Sequence, residues 1–415
     1  MKKKSVFLYF IFFWIFLLFF KFGGGLHYSL LSPLGERLMP LWIVGLIMSV
    51  ASVLQLCLDV PAGKMLDRFG YKRLIVIGTF MFMITGSLLF FKFNSLFFIL
   101  SVILSSFGWL FFGPGGNAYV LSHAKKGKVG KLMGYKDVSE SIGIVLAAVT
   151  IPLIVSSSGK LISLIVFLLL TISFFAIILS PRDKKKFNFA RHAHARTHEQ
   201  RRHVLLNLFN VIKRLNPPSM ILLLFQFVSA MFYGVIWFVI PLVIAHLPEN
   251  SQLLGLGLGM FDFAVVITGA LLCNFVDKSN KRKMVLLGLL MFSVFSMLLG
   301  LNYGLLFLVF AFLATVGDEV ASLPLWAWMH SLDKKHQEDG LLSGVIVLFE
   351  DLGWAAGPLV AGILYTLIGS TWTIILGALP IMILLVIYYS IVYKRVIKFS
   401  IFDVPQRPHK RRHKG

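Results

Sequence analysis

The chain has 415 residues, of which 58% are hydrophobic and only 14% are charged, and its formal net charge is +22. A soluble protein of this length needs more polar surface, so the composition argues against an ordinary globular enzyme and favours a membrane protein. The net charge alone would fit nucleic-acid binding, but its distribution along the chain indicates membrane topology instead.

Twelve apolar runs are each long enough to cross a bilayer as a helix, and backbone in lipid must bond to itself. Six runs precede a polar gap and six follow it, which divides the chain into residues 1–180, a linker 181–217, residues 218–393 and a tail 394–415. The runs fall near 5–31, 40–62, 74–92, 96–121, 134–156, 160–180, 218–244, 253–275, 284–301, 304–330, 341–365 and 371–393.

The basic residues predict the orientation of these runs. All Lys and Arg residues except Lys21, Arg37, Lys92 and Lys160 lie at the two termini or in the even-numbered connections. By the positive-inside rule, both termini and the linker are cytoplasmic, in a multi-pass protein of the plasma or inner membrane. The basic linker contains a predicted amphipathic helix at 199–215, so the expected partner of these charges is the anionic headgroup layer, not nucleic acid.

The second connection, residues 59–73, holds a proline, two glycines, two acids and four bases between two apolar runs. Hydrocarbon does not hold so many charges, so this segment is predicted to be a loop at the membrane surface. Its spaced residues are, in order, Gly63, Asp67, Arg68, Gly70, Lys72 and Arg73. This order resembles the helix 2–3 loop motif of the major facilitator superfamily of membrane transporters, although Tyr71 stands where that family usually has a base.

The second half of the chain repeats features of the first half 210 residues later. Asp277, Lys278, Arg282 and Lys283 form a degraded copy of the charged loop. The same offset relates Gly45, Gly78, Pro114, Glu140 and Gly143 to Gly255, Gly288, Pro324, Glu350 and Gly353. Such an internal repeat is expected of transporters built from related halves. The predicted fold is therefore all-α, with twelve transmembrane helices in two pseudo-symmetric six-helix bundles.

The resemblance implies alternating access, in which the two bundles rock around a central cavity lined by helices 1, 4, 7 and 10. It also implies that the charged loop is a latch that pairs with a neighbouring helix end in one state, with Glu350 as a partner for Arg68 and Glu140 for Lys278. The candidate gating residues are Asp59, Gly63, Asp67, Arg68, Gly70, Lys72, Arg73, Glu140, Asp277, Lys278, Arg282, Lys283 and Glu350.

Ionisable residues within the apolar runs are the candidates for binding and coupling, because charges at membrane depth are costly to keep. They are Lys21, His27, Asp262, Asp318 and Glu319. Loss of hydration favours a protonated carboxyl group, so Asp318 or Glu319 could load and release protons. The alternative is an ion pair between Lys21 and one of these two acids that only holds the halves together.

We expect a monomeric secondary transporter of a small organic solute, coupled to protons and directed to efflux. Uptake by a symporter or uniporter is one alternative, with Lys21 contacting an anionic group of the substrate. A membrane sensor or scaffold that kept the fold without transport is another. No catalytic motif or cofactor-binding motif is found, and the linker histidines (192, 194, 198 and 203) lack the cysteines that would indicate a metal site.

Overall fold

A computed structural model of the chain describes residues 10–123, 129–181, 217–247, 251–276, 279–301, 303–332 and 339–393. All regular structure in these ranges is helical. The helices are α1 (Ile11–Glu36), α2 (Leu41–Phe69), α3 (Tyr71–Phe91), α4 (Ser95–His123), α5 (Val129–Ile154), α6 (Gly159–Leu179), α7 (Pro217–His246), α8 (Ser251–Val276), α9 (Lys281–Leu299), α10 (Leu305–Leu332) and α11 (Asp339–Ile387), followed by a π-helical turn, Tyr388–Tyr393.

Eleven helices in these ranges are long and apolar enough to cross a membrane. Each of the first ten coincides with one predicted apolar run, and α11 contains the last two. The two runs in α11 meet at Gly369, whose φ of 76° and ψ of −179° are not helical. After this residue the chain returns along α9, and the Tyr388 hydroxyl donates to the Arg282 carbonyl oxygen at 3.1 Å. The predicted eleventh and twelfth spans are thus two segments joined at one glycine.

We expect Gly369→Ala to destabilise the protein by about 1 kcal/mol, because residues with a Cβ avoid positive φ. An added Cβ at Gly369 would meet no atom within 4 Å, so backbone strain is the cause that this variant isolates. The measurement is the free energy of unfolding in detergent micelles. Gly113→Ala is the matched control, since Gly113 also has open space but lies within α4. Equal stabilities of the two variants would contradict the expectation.

Each half contains a pair of helices that pack closely at an equivalent glycine. A Cβ at Gly143 in α5 would overlap the Leu18 carbonyl oxygen of α1. A Cβ at Gly353 in α11 would overlap the Phe227 carbonyl oxygen of α7. The repeated glycines therefore serve the same purpose in both bundles: they allow two backbones to touch.

The two halves meet where α2 packs on α11, α5 on α8 and α1 on α7. Gly45 of α2 faces the Pro358 carbonyl group so closely that a Cβ would overlap it, and Gly255 of α8 lies against the Pro152 ring of α5. The two glycines are related by the internal repeat, and the Ala148 carbonyl oxygen, also close to Gly255, is the counterpart of the Pro358 carbonyl oxygen. Both contacts lie near the end of the bundle at which α1 passes into α2, called here the α1–α2 end; the opposite end is the α2–α3 end.

Polar contacts join the halves at the α1–α2 end as well. His246 Nε2 lies 3.2 Å from Glu36 Oε2, and Ser32 Oγ donates to the Phe238 carbonyl oxygen at 2.7 Å. Between described residues, no hydrogen bond or ion pair joins the halves at the α2–α3 end, where a Cβ on Gly63 would meet nothing within 4 Å. Among the described residues, the polar contacts between the halves therefore lie at the α1–α2 end.

Candidate functional site

Lys21 of α1 and Glu140 of α5 form an ion pair inside the N-terminal bundle. Lys21 Nζ lies 3.6 Å from Glu140 Oε2, and the two side chains are only 18% and 14% exposed. Their proximity follows from Gly143, one turn beyond Glu140, because this glycine lets α5 approach the backbone of α1. Glu140 therefore has a cationic partner in its own half, while Lys278, the partner that the resemblance implied, lies outside the described residues.

Lys136 is the second cation at Glu140, and sequence reasoning had assigned it only to the basic surface. Its Nζ lies 2.6 Å from Glu140 Oε1, and its side chain is 9% exposed. The two residues are one helical turn apart, a spacing that brings opposite charges together on a helix face. That spacing is the sequence signal that could have identified Lys136 as part of the site.

Aromatic rings from α4 surround the Lys21 ammonium group. Its Nζ lies 4.9 Å from the ring centroid of Trp109 and 5.2 Å from that of Phe112. Phe20, next to Lys21 in sequence, stacks on Phe112 with ring centroids 4.0 Å apart. Ring faces carry partial negative charge, so they stabilise an ammonium group that is largely removed from water.

Asp318 of α10 is held by neutral donors in the C-terminal bundle. The hydroxyl groups of Ser229 and Tyr233 donate to its two carboxylate oxygens at 2.8 and 3.1 Å. Both donors lie on α7, one turn apart, and neither is among the residues predicted from the sequence. Glu319 follows Asp318, and no described cation forms an ion pair with either acid. Within the described residues, the partly buried Asp318 carboxyl group is therefore held by neutral hydrogen-bond donors alone.

The internal repeat shows that the two halves differ in charge at equivalent positions. Glu140 corresponds to Glu350, but Lys21 corresponds to Met231 and Lys136 to Ile346. The N-terminal half therefore surrounds its glutamate with two cations, whereas the C-terminal half supplies none there. Trp109, beneath Lys21, corresponds to Glu319, which adds a further acid to the C-terminal half.

The remaining candidates within the spans occupy different surroundings. Asp262 of α8 is partly buried, and the charge of Lys21 acts on it across the boundary between the halves. His27 is 5% exposed; its ring meets Phe82 edge-on at 5.4 Å, and its Nε2 has no hydrogen-bond partner in the described part of the chain. The structure therefore brings Lys21 near Asp262 but places His27 among aromatic side chains.

Two ion pairs considered from the sequence are not formed in this structure. Lys21 pairs with Glu140 and not with Asp318 or Glu319. Glu350 is partly buried, and Arg68 forms no ion pair with any described residue; its guanidinium lies 5.4 Å from the Phe69 ring centroid. Asp277 and Lys278 lie outside the described residues, as do the Asp67 side chain and the linker histidines.

The charged loop forms a tight connection between α2 and α3. Gly70 has a φ of 95° and a ψ of 147°, a conformation that essentially only glycine adopts. Lys72 Nζ donates to the carbonyl oxygens of Ile178, at 2.8 Å, and Ser180, so it caps the C-terminal end of α6. Asp59 is partly buried and Arg73 is exposed. Lys72 therefore contacts backbone carbonyl groups that complement a cation at a helix end.

The second charged loop begins α9 with an asparagine cap instead of a glycine. Asn280 stands where the first loop has Gly70, and its side chain accepts hydrogen bonds from the backbone N–H groups of Arg282 and Lys283. Asparagine is a favoured residue at this helix-capping position. The loss of the glycine is thus matched by a capped start of α9, with an ordinary negative φ of −72° at Asn280.

Comparisons with known proteins agree with this architecture. The family model described as Major Facilitator Superfamily matches residues 5–225 and 222–412. The human organic anion transporter MFSD10 (TETRAN) is similar in structure, with a TM-score of 0.61, 16% sequence identity, and coverage of 91% of this chain and 98% of that chain. At this identity the likeness supports the fold alone. Comparison with curated proteins gives no match.

Proposed function

The chain belongs to the major facilitator superfamily and is a multi-pass membrane transporter, and from this premise we propose that it moves a small organic solute by proton-coupled alternating access. The direction proposed is export, and the coupling groups are Asp318 and Glu319. The protein would work as a monomer in the plasma or inner membrane, without catalytic activity of its own.

The observation that carries the proposal is the setting of Asp318. Its carboxyl group is far from either end of α10 and is bonded to two hydroxyl groups, Ser229 and Tyr233, with no described cation as an ion-pair partner. A charge at membrane depth is costly unless it is neutralised, and protonation neutralises a carboxylate. Binding and release of this proton would make the stability of one access state depend on the pH on the side to which it opens.

The orientation proposed from the basic residues places the α2–α3 end in the cytoplasm. The structure would then be closed towards the outside, where Gly45 meets Pro358 and Glu36 meets His246. The charged loop would act as the latch of the other state, when the cytoplasmic ends of the halves come together. Arg68, exposed here, would then be free to meet an acid of the opposite half.

Flux measured in proteoliposomes tests the proposal. Purified protein is reconstituted, a pH gradient is imposed in either direction, and a panel of small organic solutes is screened for solute-dependent proton movement and uptake. We expect at least one solute to move against its own gradient when protons move the opposite way. Movement in the same direction as protons would replace export by uptake, and gradient-independent movement would indicate a uniporter. If the folded protein moves none of the solutes in a broad panel, the result would favour a sensor or scaffold.

A further inference from the structure

We infer that Lys21, with the rings of Trp109 and Phe112, forms a binding site for a small aromatic monoanion such as an aromatic carboxylate. The inference rests on the proposed function in one respect, since the bound anion would be the transported solute. Binding itself requires no coupling to protons. The inference starts from the charge balance around Glu140.

Two ammonium groups share one well-buried carboxylate at this site. Lys136 and Lys21 both contact Glu140, at 2.6 and 3.6 Å. Asp137 also lies 3.7 Å from Lys136, but it is 67% exposed, so solvent screens its charge. Asp262 of α8, on which the charge of Lys21 also acts, forms no ion pair with Lys21 among the described residues. The direct contacts of the cluster therefore match two cations with one carboxylate, which favours the binding of a further anion at Lys21.

The unequal distances indicate which cation is available to a ligand. Glu140 Oε1 lies only 2.6 Å from Lys136 Nζ, one turn away on the same helix, in an ion pair that lacks hydrogen-bond geometry. Lys21 approaches the other oxygen only to 3.6 Å, beyond a normal hydrogen bond. Lys136 thus neutralises Glu140, and Lys21 can exchange its contact for a carboxylate of the ligand. Lys136 is in this sense a positioning residue.

The surroundings of Lys21 indicate the rest of the ligand. Trp109 and Phe112 present their rings within 5.2 Å of the ammonium group, and Phe20 extends this aromatic wall. Aromatic rings prefer other rings in offset or edge-on contact, which adds to the apolar area that they bury. A flat ring bearing one carboxylate satisfies both features: the acid meets Lys21 and the ring meets Trp109, which is partly exposed, whereas Phe112 is buried against Phe20.

The residue that corresponds to Lys21 in the C-terminal half suggests a matched substitution for Lys21. Met231 takes the place of Lys21 in the C-terminal half, so methionine is already accepted at this position of the fold. Lys21→Met keeps an unbranched chain and removes only the charge. Glu140→Gln removes the internal competitor for Lys21, and Lys136→Met leaves Lys21 as the one described ion-pair partner of Glu140.

The test is equilibrium binding of radiolabelled benzoate to the full-length protein in detergent, without any gradient. We expect benzoate to bind, cyclohexanecarboxylate to compete about threefold more weakly, and benzylamine not to compete. Lys21→Met should weaken benzoate binding by about tenfold or more, and Lys136→Met by severalfold, whereas Glu140→Gln should strengthen it. Lys92→Met, which removes an exposed lysine outside the site, is the control and should leave binding unchanged.

The sign of the Glu140→Gln effect separates a binding site from an internal salt bridge. If the cluster only holds α1 to α5, then Glu140→Gln and Lys21→Met should both impair binding, and equal losses would overturn the inference. Absence of benzoate binding by the folded wild-type protein would overturn it too. If benzoate binds as expected but no pH gradient drives its movement in liposomes, the inference stands and the proposed coupling fails. If a different solute moves with protons but benzoate does not bind, the proposed function stands and this inference fails.

Discussion

Asp318→Asn is expected to abolish pH-gradient-driven movement of whichever solute the proteoliposome panel identifies, with a loss of about a hundredfold or more. Asparagine has nearly the same shape as aspartic acid and keeps one oxygen that can accept from Ser229 or Tyr233. What it lacks is a proton that it can release. The variant should therefore remain folded, and its side chain at position 318 should stay neutral, like the protonated acid, at every pH.

Solute exchange without a pH gradient is the informative companion measurement. If Asp318 carries the proton, Asp318→Asn should still exchange labelled for unlabelled solute, because exchange needs no net proton release. Glu319→Gln, next in sequence, is tested in the same way to determine which of the two acids is the carrier. Asp137→Asn removes an exposed carboxylate and should leave coupling within about twofold. Normal coupled flux in both Asp318→Asn and Glu319→Gln would refute the assignment.

Gly45→Val is expected to prevent closure at the α1–α2 end and to reduce transport by more than about tenfold. An added Cβ at Gly45 would overlap the Pro358 carbonyl group and approach the Leu359 backbone. Backbone atoms within a helix cannot rotate away as the tip of a side chain can. The substitution should therefore separate α2 from α11 and favour the state that is open at this end.

Pulsed electron paramagnetic resonance can measure this shift directly. Spin labels placed at Lys92 and Leu301, both exposed, report the distance between the halves at the α1–α2 end, in a background with Cys57 and Cys273 replaced by serine. Gly45→Val should lengthen this distance. Gly113→Val is the control, because a Cβ there would meet nothing within 4 Å. An unchanged distance distribution in folded Gly45→Val protein would show that the contact does not close this end.

The helical architecture was predictable because each span is encoded locally. Apolar runs of spanning length have one good backbone state in lipid, so ten predicted runs are ten separate helices and the last two meet at Gly369. The positive φ of Gly70 explains why the loop motif has a glycine at this position. Such features depend on residues that are close together in the sequence.

The partners of the charged residues were harder to predict because they depend on helix rotation and packing. The pairing of Glu140 with Lys278 stays a prediction, because Lys278 lies outside the described residues. The contact of Glu140 with Lys21 was not expected, and it depends on Gly143, which lets α1 approach α5. Ser229 and Tyr233 lie in a largely apolar run, and only the structure shows that their hydroxyl groups bond to Asp318. Hydroxyl groups within apolar spans, one turn apart, are the signal to examine.

The cap that Lys72 places on α6 has a mechanical consequence for the connection between the halves. Lys72 binds the Ser180 carbonyl oxygen, and the Tyr119 hydroxyl donates to that of Pro181, so α3 and α4 both anchor the chain where the first half ends. The 35 residues from 182 to 216 then lead to α7. The last residues of the first half are therefore fixed to two of its own helices, so Ser180 and Pro181 must move with that half as one body.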